Sequence, residues 1–540
     1  MSRSPHPLLS EQLQDQYREK GLWSDLTLRE VLDRQAERAP DAPLYLGEQA
    51  KTYGDVAAAA ARIAGYLVER GVGPGDTVVA PLVSGWEATA LVAATSGIGA
   101  RLAPLSSRSS RLQIESLCRA TDAVMLVISG RVLAKGDWHD ALASLPHDLP
   151  RFRGVVVAEA SLAPDWASTL PDLATIAATS DPAPATAVDT GAPFLLLSTG
   201  GTTGPSKVVM HAENAAMYAA TQYVERCELT ARDRVLSAGP FGHASGTVFT
   251  LYAPILAGAA VLPVSRWDAA AVSRDVNRHG VSWCLLSGTH IYDLLQLDDA
   301  QTALWSSVRG LSAGSGSDER YAAAERKFGL RIRRMYGLTE CMGHAIMPVD
   351  APDSARMTRD GLPFDGVECY IEGEAATGEY LVRAPSLMLG YLGRPDLTGK
   401  AVTAEGFLRT GDVMSIDENG FVRYVGRTKD VIRRGGINID PLELERLLVQ
   451  HPDVNDVSVV GMPSPRLGEQ AVAVVVPRPG TRPGLEGLTS LLADRDVPLP
   501  SHPEHVVLVE KLPTTEYGKH NKPMVKKMLA DLHISKDWDA

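Results

Sequence analysis

Leu197-Ser198-Thr199-Gly200-Gly201-Thr202-Thr203-Gly204-Pro205-Ser206-Lys207 is the stretch that decides how the rest of the chain is read. It follows the apolar run Phe194-Leu195-Leu196-Leu197, which predicts a short buried strand. It precedes Val208-Val209-Met210-His211 and then an Ala-rich segment with helical character. Glycines, a series of hydroxyl residues and one lysine describe a loop suited to phosphate. Glycines let the backbone come close to an anion, hydroxyls and N–H groups donate hydrogen bonds, and the lysine supplies charge. The spacing is not that of a Walker loop: Lys207 is followed by Val208, and the GxxxxGK pattern is absent. The same composition also suits a flexible surface turn, because glycine clusters mark turns in general.

A chain of 540 residues is too long for one core, so two or more domains are expected. The formal net charge of −12 argues against a nucleic-acid partner, which needs a basic face. Cys118, Cys227, Cys284, Cys341 and Cys369 are dispersed with no CxxC pair. That pattern predicts reduced thiols in a cytoplasmic protein rather than a disulfide framework or a zinc site. Residues 1–20 are polar and charged and lack the apolar core of a signal peptide. The most apolar window, 88–105, is rich in Ala and Gly and contains Arg101. It reads as a buried helix and strand, not a membrane span.

Strand and helix patterns alternate along most of the chain. Helices are predicted over 26–38, 56–70, 86–96, 247–256 and 269–278, with strands at 77–80, 124–128, 155–157, 235–236, 260–262 and 283–286. Such alternation indicates a layered α/β architecture. Pro- and Ala-rich residues 180–192 read as a connector. After about residue 365 the pattern turns to short strands with turns, at 379–382 and 421–424. A final segment has a helix at 441–450, strands near 457–460 and 471–476, and a basic helix after Lys522. The charged run 426–430 is the expected boundary between the two regions.

Further short stretches stand out. Tyr336-Gly337-Leu338-Thr339-Glu340 follows a strand-forming run, so it lies where ligands bind open α/β sheets. A carboxylate beside a hydroxyl suits Mg²⁺ and a phosphate oxygen, although a turn with a solvated Glu has the same letters. Thr410-Gly411-Asp412 is either a plain turn or a carboxylate clamp for two sugar hydroxyls. Gly426-Arg427-Thr428-Lys429-Asp430 with Arg434-Gly435-Gly436 is by itself a basic loop, and Lys519 in Glu516-Tyr517-Gly518-Lys519 an exposed lysine on a Gly turn. His243 sits alone in Gly239-Pro240-Phe241-Gly242-His243-Ala244-Ser245-Gly246. Gly310-Leu311-Ser312-Ala313-Gly314 fits G-x-S-x-G, which makes a serine hydrolase using Ser312 the alternative of another class. No HGGG-like oxyanion segment precedes it. His502-Pro503-Glu504-His505 is not HExxH, and its proline disfavours the helix such a zinc site needs.

In this order, the stretches from Ser198 to Lys519 resemble the signatures of the adenylate-forming superfamily: acyl- and aryl-CoA synthetases, peptide-synthetase adenylation domains and luciferases. The resemblance covers nearly the whole chain. It implies a large N-terminal domain of layered α/β sheets with a β-barrel-like subdomain (1–428) and a smaller, mobile C-terminal α+β domain (429–540). By this resemblance Ser198, Thr199, Gly200, Gly201, Thr202, Thr203, Gly204 and Lys207 would grip nucleotide phosphates. Thr339 would contact the α-phosphate, Glu340 would hold Mg²⁺, and Tyr336, beside Gly337, would stack on adenine. Asp412 would bind ribose, and Arg427 ribose and phosphate. Lys429 would be the hinge of the small domain, and Gly435 and Gly436 would line the thiol path. Lys519 would be catalytic, stabilising the charge that develops as the acid attacks the α-phosphate. His243 would wall the acid pocket and gate the thiol tunnel, with Ala244, Gly314 and Cys341 also in that pocket.

The reaction so implied is a carboxylic acid plus ATP giving an acyl-adenylate and pyrophosphate, then transfer to CoA or a carrier-protein phosphopantetheine thiol. Tyr17 to Trp23, Leu105 to Ser110 and the Gly200-Gly201 form of the loop resemble aryl-acid AMP ligases. Met210 to Asn214 and Gly435 to Glu445 resemble cyclohexanecarboxylate-type CoA ligases. One departure matters: dihydroxybenzoate ligases carry Asn directly after the pocket His, where this chain has Ala244. A site without that partner loses selectivity for a hydroxylated ring, by about 1–3 kcal/mol. An apolar pocket for an aryl, alicyclic or medium aliphatic acid is expected. The motifs also accommodate a relative that activates nitrite and acts on an aryl amine, since shared sites do not fix the substrate.

Overall fold

Apolar runs and helical segments alternate into two large sheets in the computed structural model, which describes residues 4–199, 207–314, 318–373, 376–428, 430–434, 437–464, 466–495, 497–514 and 520–531. In the first sheet, strands Pro193–Ser198, Arg101–Ser106, Thr77–Leu82, Ala123–Ser129 and Gly154–Ala158 lie parallel in that order. Val208–Ala212 and then Gly390–Tyr391 extend one edge antiparallel. All of Ala123–Ser129 is buried, because helices cover both faces of a parallel sheet. Helix Trp86–Gly97 is buried from Ala88 to its end. The apolar window at 88–105 is therefore core helix and strand, and no helix among the described residues is long and apolar enough to cross a membrane.

The second sheet runs Leu362–Pro363, Cys341–Ile346, Ile332–Leu338, Gly310–Ala313, Trp283–Leu286, Arg234–Ser237, Ala260–Pro263, Pro43–Tyr45, Lys51–Thr52. Its strands from Ile332–Leu338 to Pro43–Tyr45 are parallel, and Cys341–Ile346 folds back antiparallel as a hairpin. The subdomain expected to resemble a barrel is an antiparallel sheet of Glu368–Glu372, Gly378–Arg383, Leu408–Ile416 and Val422–Arg427. Residues 181–192 have no regular structure, as the connector composition predicts.

The smaller C-terminal domain has cores of its own. Strands Val454–Ser464 and Gly468–Pro477 pair along nearly their whole lengths, and alternate residues face opposite sides. Val457, Val459, Ala471, Ala473 and Val475 pack with Leu444, Leu448, Leu488 and Leu492. Val460, Met462, Val472 and Val474 pack with Val525 and Leu529 of the last helix. A continuous apolar run in the sequence is thus a strand covered on both faces. Polar contacts reach the large domain: Gln450 Nε2 donates to Glu319 Oε1 at 2.8 Å, and Tyr292 Oη meets Asn455 Oδ1 at 3.4 Å.

One element differs from expectation. The helix predicted at 247–256 is a π-helix over Ser245–Tyr252 that runs into the short α-helix Ala253–Ala257. The hydroxyl of Thr250 donates to the carbonyls of Ser245 at 3.0 Å and Gly246 at 3.3 Å. A side chain inserted among the backbone carbonyls opens the turn.

Candidate active site

The glycine-rich stretch from Leu197 to Lys207 joins two antiparallel strands, Pro193–Ser198 and Val208–Ala212. Ser198 pairs with Val208, and the Thr199 N–H donates to the Lys207 carbonyl at 2.9 Å. Gly200, Gly201, Thr202, Thr203 and Gly204 lie outside the described residues, as do Lys429, Gly435, Gly436 and Lys519. Lys207, at the foot of the loop, points its Nζ at the hydroxyl of Tyr391, 3.2 Å away. That hydroxyl donates to Glu340 Oε1 at 2.8 Å. Tyr391 reaches this place because Gly390–Tyr391 adds to the strand that begins with Val208.

Thr339 and Glu340 are the two residues of the turn between strands Ile332–Leu338 and Cys341–Ile346, with Leu338 paired to Cys341. The turn is tied to the first sheet from two sides. His211 Nε2 donates to the Thr339 carbonyl at 2.7 Å, and the Met388 N–H donates to the Glu340 carbonyl at 2.9 Å. Burial pushes the His211 imidazole down to about 4, against the pull of that bond, so the ring is a neutral donor. Gly337 lies where the register of the hairpin shifts, between Tyr336 and Leu338.

Two residues before the end of strand Ile332–Leu338, Tyr336 holds Asp412. Tyr336 Oη donates to Asp412 Oδ2 at 2.6 Å, and Arg427 Nε lies 2.8 Å from Oδ1. Asp412 and Arg427 are cross-strand partners, so one register places both. Gly411, inside strand Leu408–Ile416, takes φ +69°, a left-handed conformation that glycine adopts most readily. Expected beside adenine, Tyr336 is itself buried among His344, Tyr380 and Tyr424, and its hydroxyl is committed to Asp412. Burial, and then Asp412, hold its phenol well above the usual range.

His243 lies at the start of the π-helix. Its Nδ1 accepts from the Ser245 N–H at 3.1 Å, which puts the neutral ring's proton on Nε2. The turn is seated against the first sheet. A Cβ on Gly242 would stand 2.7 Å from Leu105 Cα and 2.8 Å from Ser106 N. Ala244 is buried, and the Gly314 carbonyl accepts from Tyr321 Oη. Cys341 is fully buried with its thiol 3.6 Å from Ser386 Oγ.

The hydrolase alternative is overturned. Ser312 is inside strand Gly310–Ala313 and fully buried, not on an exposed strand-to-helix turn. Its hydroxyl serves core hydrogen bonds, accepting from Tyr223 Oη at 3.0 Å. The short apolar context Leu311–Ala313 was the signal of a strand interior.

Tyr391, His211 and Tyr380 are the participants that sequence reasoning missed. No pattern marks a tyrosine after the apolar run Leu387–Leu389, and only the pairing of Gly390–Tyr391 with Val209 and Met210 brings it to Lys207. As for a metal, Glu340 is the carboxylate joined through Tyr391 to Lys207, and no group of three or more His, Cys, Asp or Glu side chains placed to hold an ion occurs among the described residues. A single carboxylate near a lysine is compatible with Mg²⁺, which binds through one or two carboxylates together with substrate phosphates.

The family model described as AMP-binding enzyme matches residues 32–392, and the AMP-binding enzyme C-terminal domain matches residues 443–519. The chain is 31% identical over 534 residues to a medium-chain fatty-acid–CoA ligase of Escherichia coli, covering 96% of this chain and 93% of the relative. It is 30% identical to an indoleacetate–CoA ligase of Aromatoleum aromaticum, covering 94% and 98%. The fold is similar to that of ATP-bound MatB from Rhodopseudomonas palustris, with a TM-score of 0.84 at 24% identity, over 94% of this chain and 100% of that one.

Proposed function

The chain belongs to the AMP-binding enzyme family, and from that membership we propose how its own residues carry the reaction. It is an AMP-forming acid–thiol ligase: ATP activates a carboxylic acid as an acyl-adenylate, pyrophosphate leaves, and the acyl group passes to a thiol. ATP, Mg²⁺ and CoA are its cosubstrates and ion. The relatives are acyl- and aryl-CoA ligases, and nothing in them supports nitrite activation.

The observation that carries the assignment of residues is one strand and its turn. Tyr336, at one point of Ile332–Leu338, holds Asp412, and Glu340, just past its end, is joined through Tyr391 to Lys207. A ribose end and a phosphate end are thus connected by four residues of backbone. Asp412 would accept from the ribose hydroxyls, oriented by Tyr336 and Arg427. Tyr336 then serves as the support of Asp412 more than as the surface beneath adenine. Lys207 and the loop from Ser198 to Gly204 would hold the phosphates, and Thr339 the α-phosphate. Glu340 would hold Mg²⁺, which neutralises triphosphate charge when bound. Lys519, on the small domain, would stabilise the charge of the attack and then withdraw as residues after Lys429 turn, opening a thiol path past Gly435 and Gly436.

For the acid, the Ala244 side chain offers no hydrogen bond, and the ring of His243 next to it accepts from the Ser245 N–H through Nδ1. An aryl, alicyclic or medium aliphatic acid fits, and the two relatives take their names from a medium-chain fatty acid and indoleacetate. The five cysteines are all free, which supports a cytoplasmic setting.

The experiment is an ATP–pyrophosphate exchange screen over aryl, alicyclic, aliphatic and amino acids, with nitrite plus an aryl amine as one arm. Exchange with apolar acids, followed by CoA thioester, is the expected result. Transfer only to a carrier-protein thiol would move the acceptor, and exchange only with amino acids would overturn the pocket.

A further inference from the structure

Tyr391 stands between the two charged groups of the phosphate end. Lys207 has donors only and an ionised Glu340 acceptors only, so the hydroxyl between them must accept from Nζ and donate to Oε1. The same ammonium lies 4.3 Å from the centre of the tyrosine ring. Lys207 and Glu340 themselves form no direct ion pair at 4.0 Å or less. The ring is fixed in place: its residue is buried, pairs with Val209, and donates its N–H to Thr398 Oγ1 at 3.0 Å.

We propose that Tyr391 is a positioning residue that keeps the phosphate-binding lysine and the metal-binding carboxylate close together but out of direct contact, so that nucleotide and cation each find their group free. The inference rests on the reading above, which takes Lys207 for phosphate and Glu340 for the cation. Opposite charges in a half-buried site attract more strongly the nearer they come. Without the hydroxyl, ammonium and carboxylate close to contact, and each incoming ligand must first separate them. A ring alone does not prevent this. It still attracts the ammonium, but it gives Nζ no acceptor and Glu340 no donor.

The test is Tyr391→Phe, which retains the ring, measured by calorimetric binding of ATP with and without Mg²⁺ and by thermal unfolding of the ligand-free protein. Loss of one charge-assisted bond on each side predicts about tenfold weaker ATP binding in both conditions. The Mg²⁺ concentration that half-saturates its effect on ATP binding rises with it. Adding Glu340→Gln to the Phe variant removes the competitor for Lys207 and is expected to restore most of the cation-free ATP affinity. A role limited to packing predicts no such rescue. In a Lys207→Met background, Tyr391→Phe is expected to change ATP affinity less than about twofold. Wild-type-like binding by the Phe variant, or no rescue by Glu340→Gln, overturns the inference while leaving the ligase reading intact. A wild-type protein that binds no ATP overturns the reading itself.

Discussion

Asp412 is held from two sides, by a tyrosine hydroxyl and by a guanidinium, before any ribose arrives. Asp412→Asn replaces a charged acceptor by a neutral group that also donates. Hydrogen bonds to charged groups contribute about 1.5–3 kcal/mol, so the ATP KM should rise about tenfold to a hundredfold in the exchange assay. Glu213 makes a separate prediction about stability. It is fully buried, accepts from Leu28 N at 2.9 Å, Ser96 Oγ at 2.7 Å and Tyr252 Oη at 3.3 Å, all through Oε1, and Oε2 has no partner. Burial pushes its carboxyl up to about 7 from 4.5, against the pull of those donors. Between those values the folded protein keeps a proton that the unfolded chain has released, so this group lowers stability as pH rises through the window. Glu213→Gln should gain up to about 3 kcal/mol over the wild type at about pH 8 and nothing at about pH 4, read by denaturant unfolding. Ser312→Ala should keep ligase activity and cost only about 1 kcal/mol of stability. At this scale Lys207, Thr339, Glu340, Asp412 and Arg427 were singled out by resemblance, through their residue types and order, and their roles are those proposed above. Tyr391 was not, because it arrives through strand pairing across the sheet, and Ser312 was misleading because five letters do not say whether a serine lies on a turn or inside a strand.

Among the elements, the turn that carries His243 depends on Gly242. The backbone of Leu105 and Ser106 stands where a Cβ would go and cannot give way as a side chain can. Gly242→Ala should destabilise by about 2–3 kcal/mol and raise the KM for the acid more than that for ATP, measured by unfolding and by exchange kinetics. Most strands and helices were readable from apolar periodicity: the strand and helix of window 88–105 appear as Trp86–Gly97 and Arg101–Ser106. The π-helix Ser245–Tyr252 was not. Over eight residues the two helical periods bury much the same side chains, and the difference lies in where the Thr250 hydroxyl bonds.

For the whole molecule, a small domain with cores of its own is built to move as a unit relative to the large one. Lys429→Pro should therefore spare adenylation and impair thioester formation, and equal loss of both would count against a hinge there. Two or more domains were legible from length, and the boundary between them was expected at the charged run 426–430. The roles of the segments around Lys429 and Lys519 came from resemblance alone, since a lysine on a glycine turn has no chemistry visible in its own letters. The most direct measurement of the central claim is acid-dependent exchange of labelled pyrophosphate into ATP by the wild type and by Lys519→Ala. The account predicts exchange by the wild type with an apolar acid and its loss in the variant, with thiol transfer from a supplied acyl-adenylate retained. Exchange by Lys519→Ala at the wild-type rate, or none by the wild type with any carboxylic acid, would contradict it.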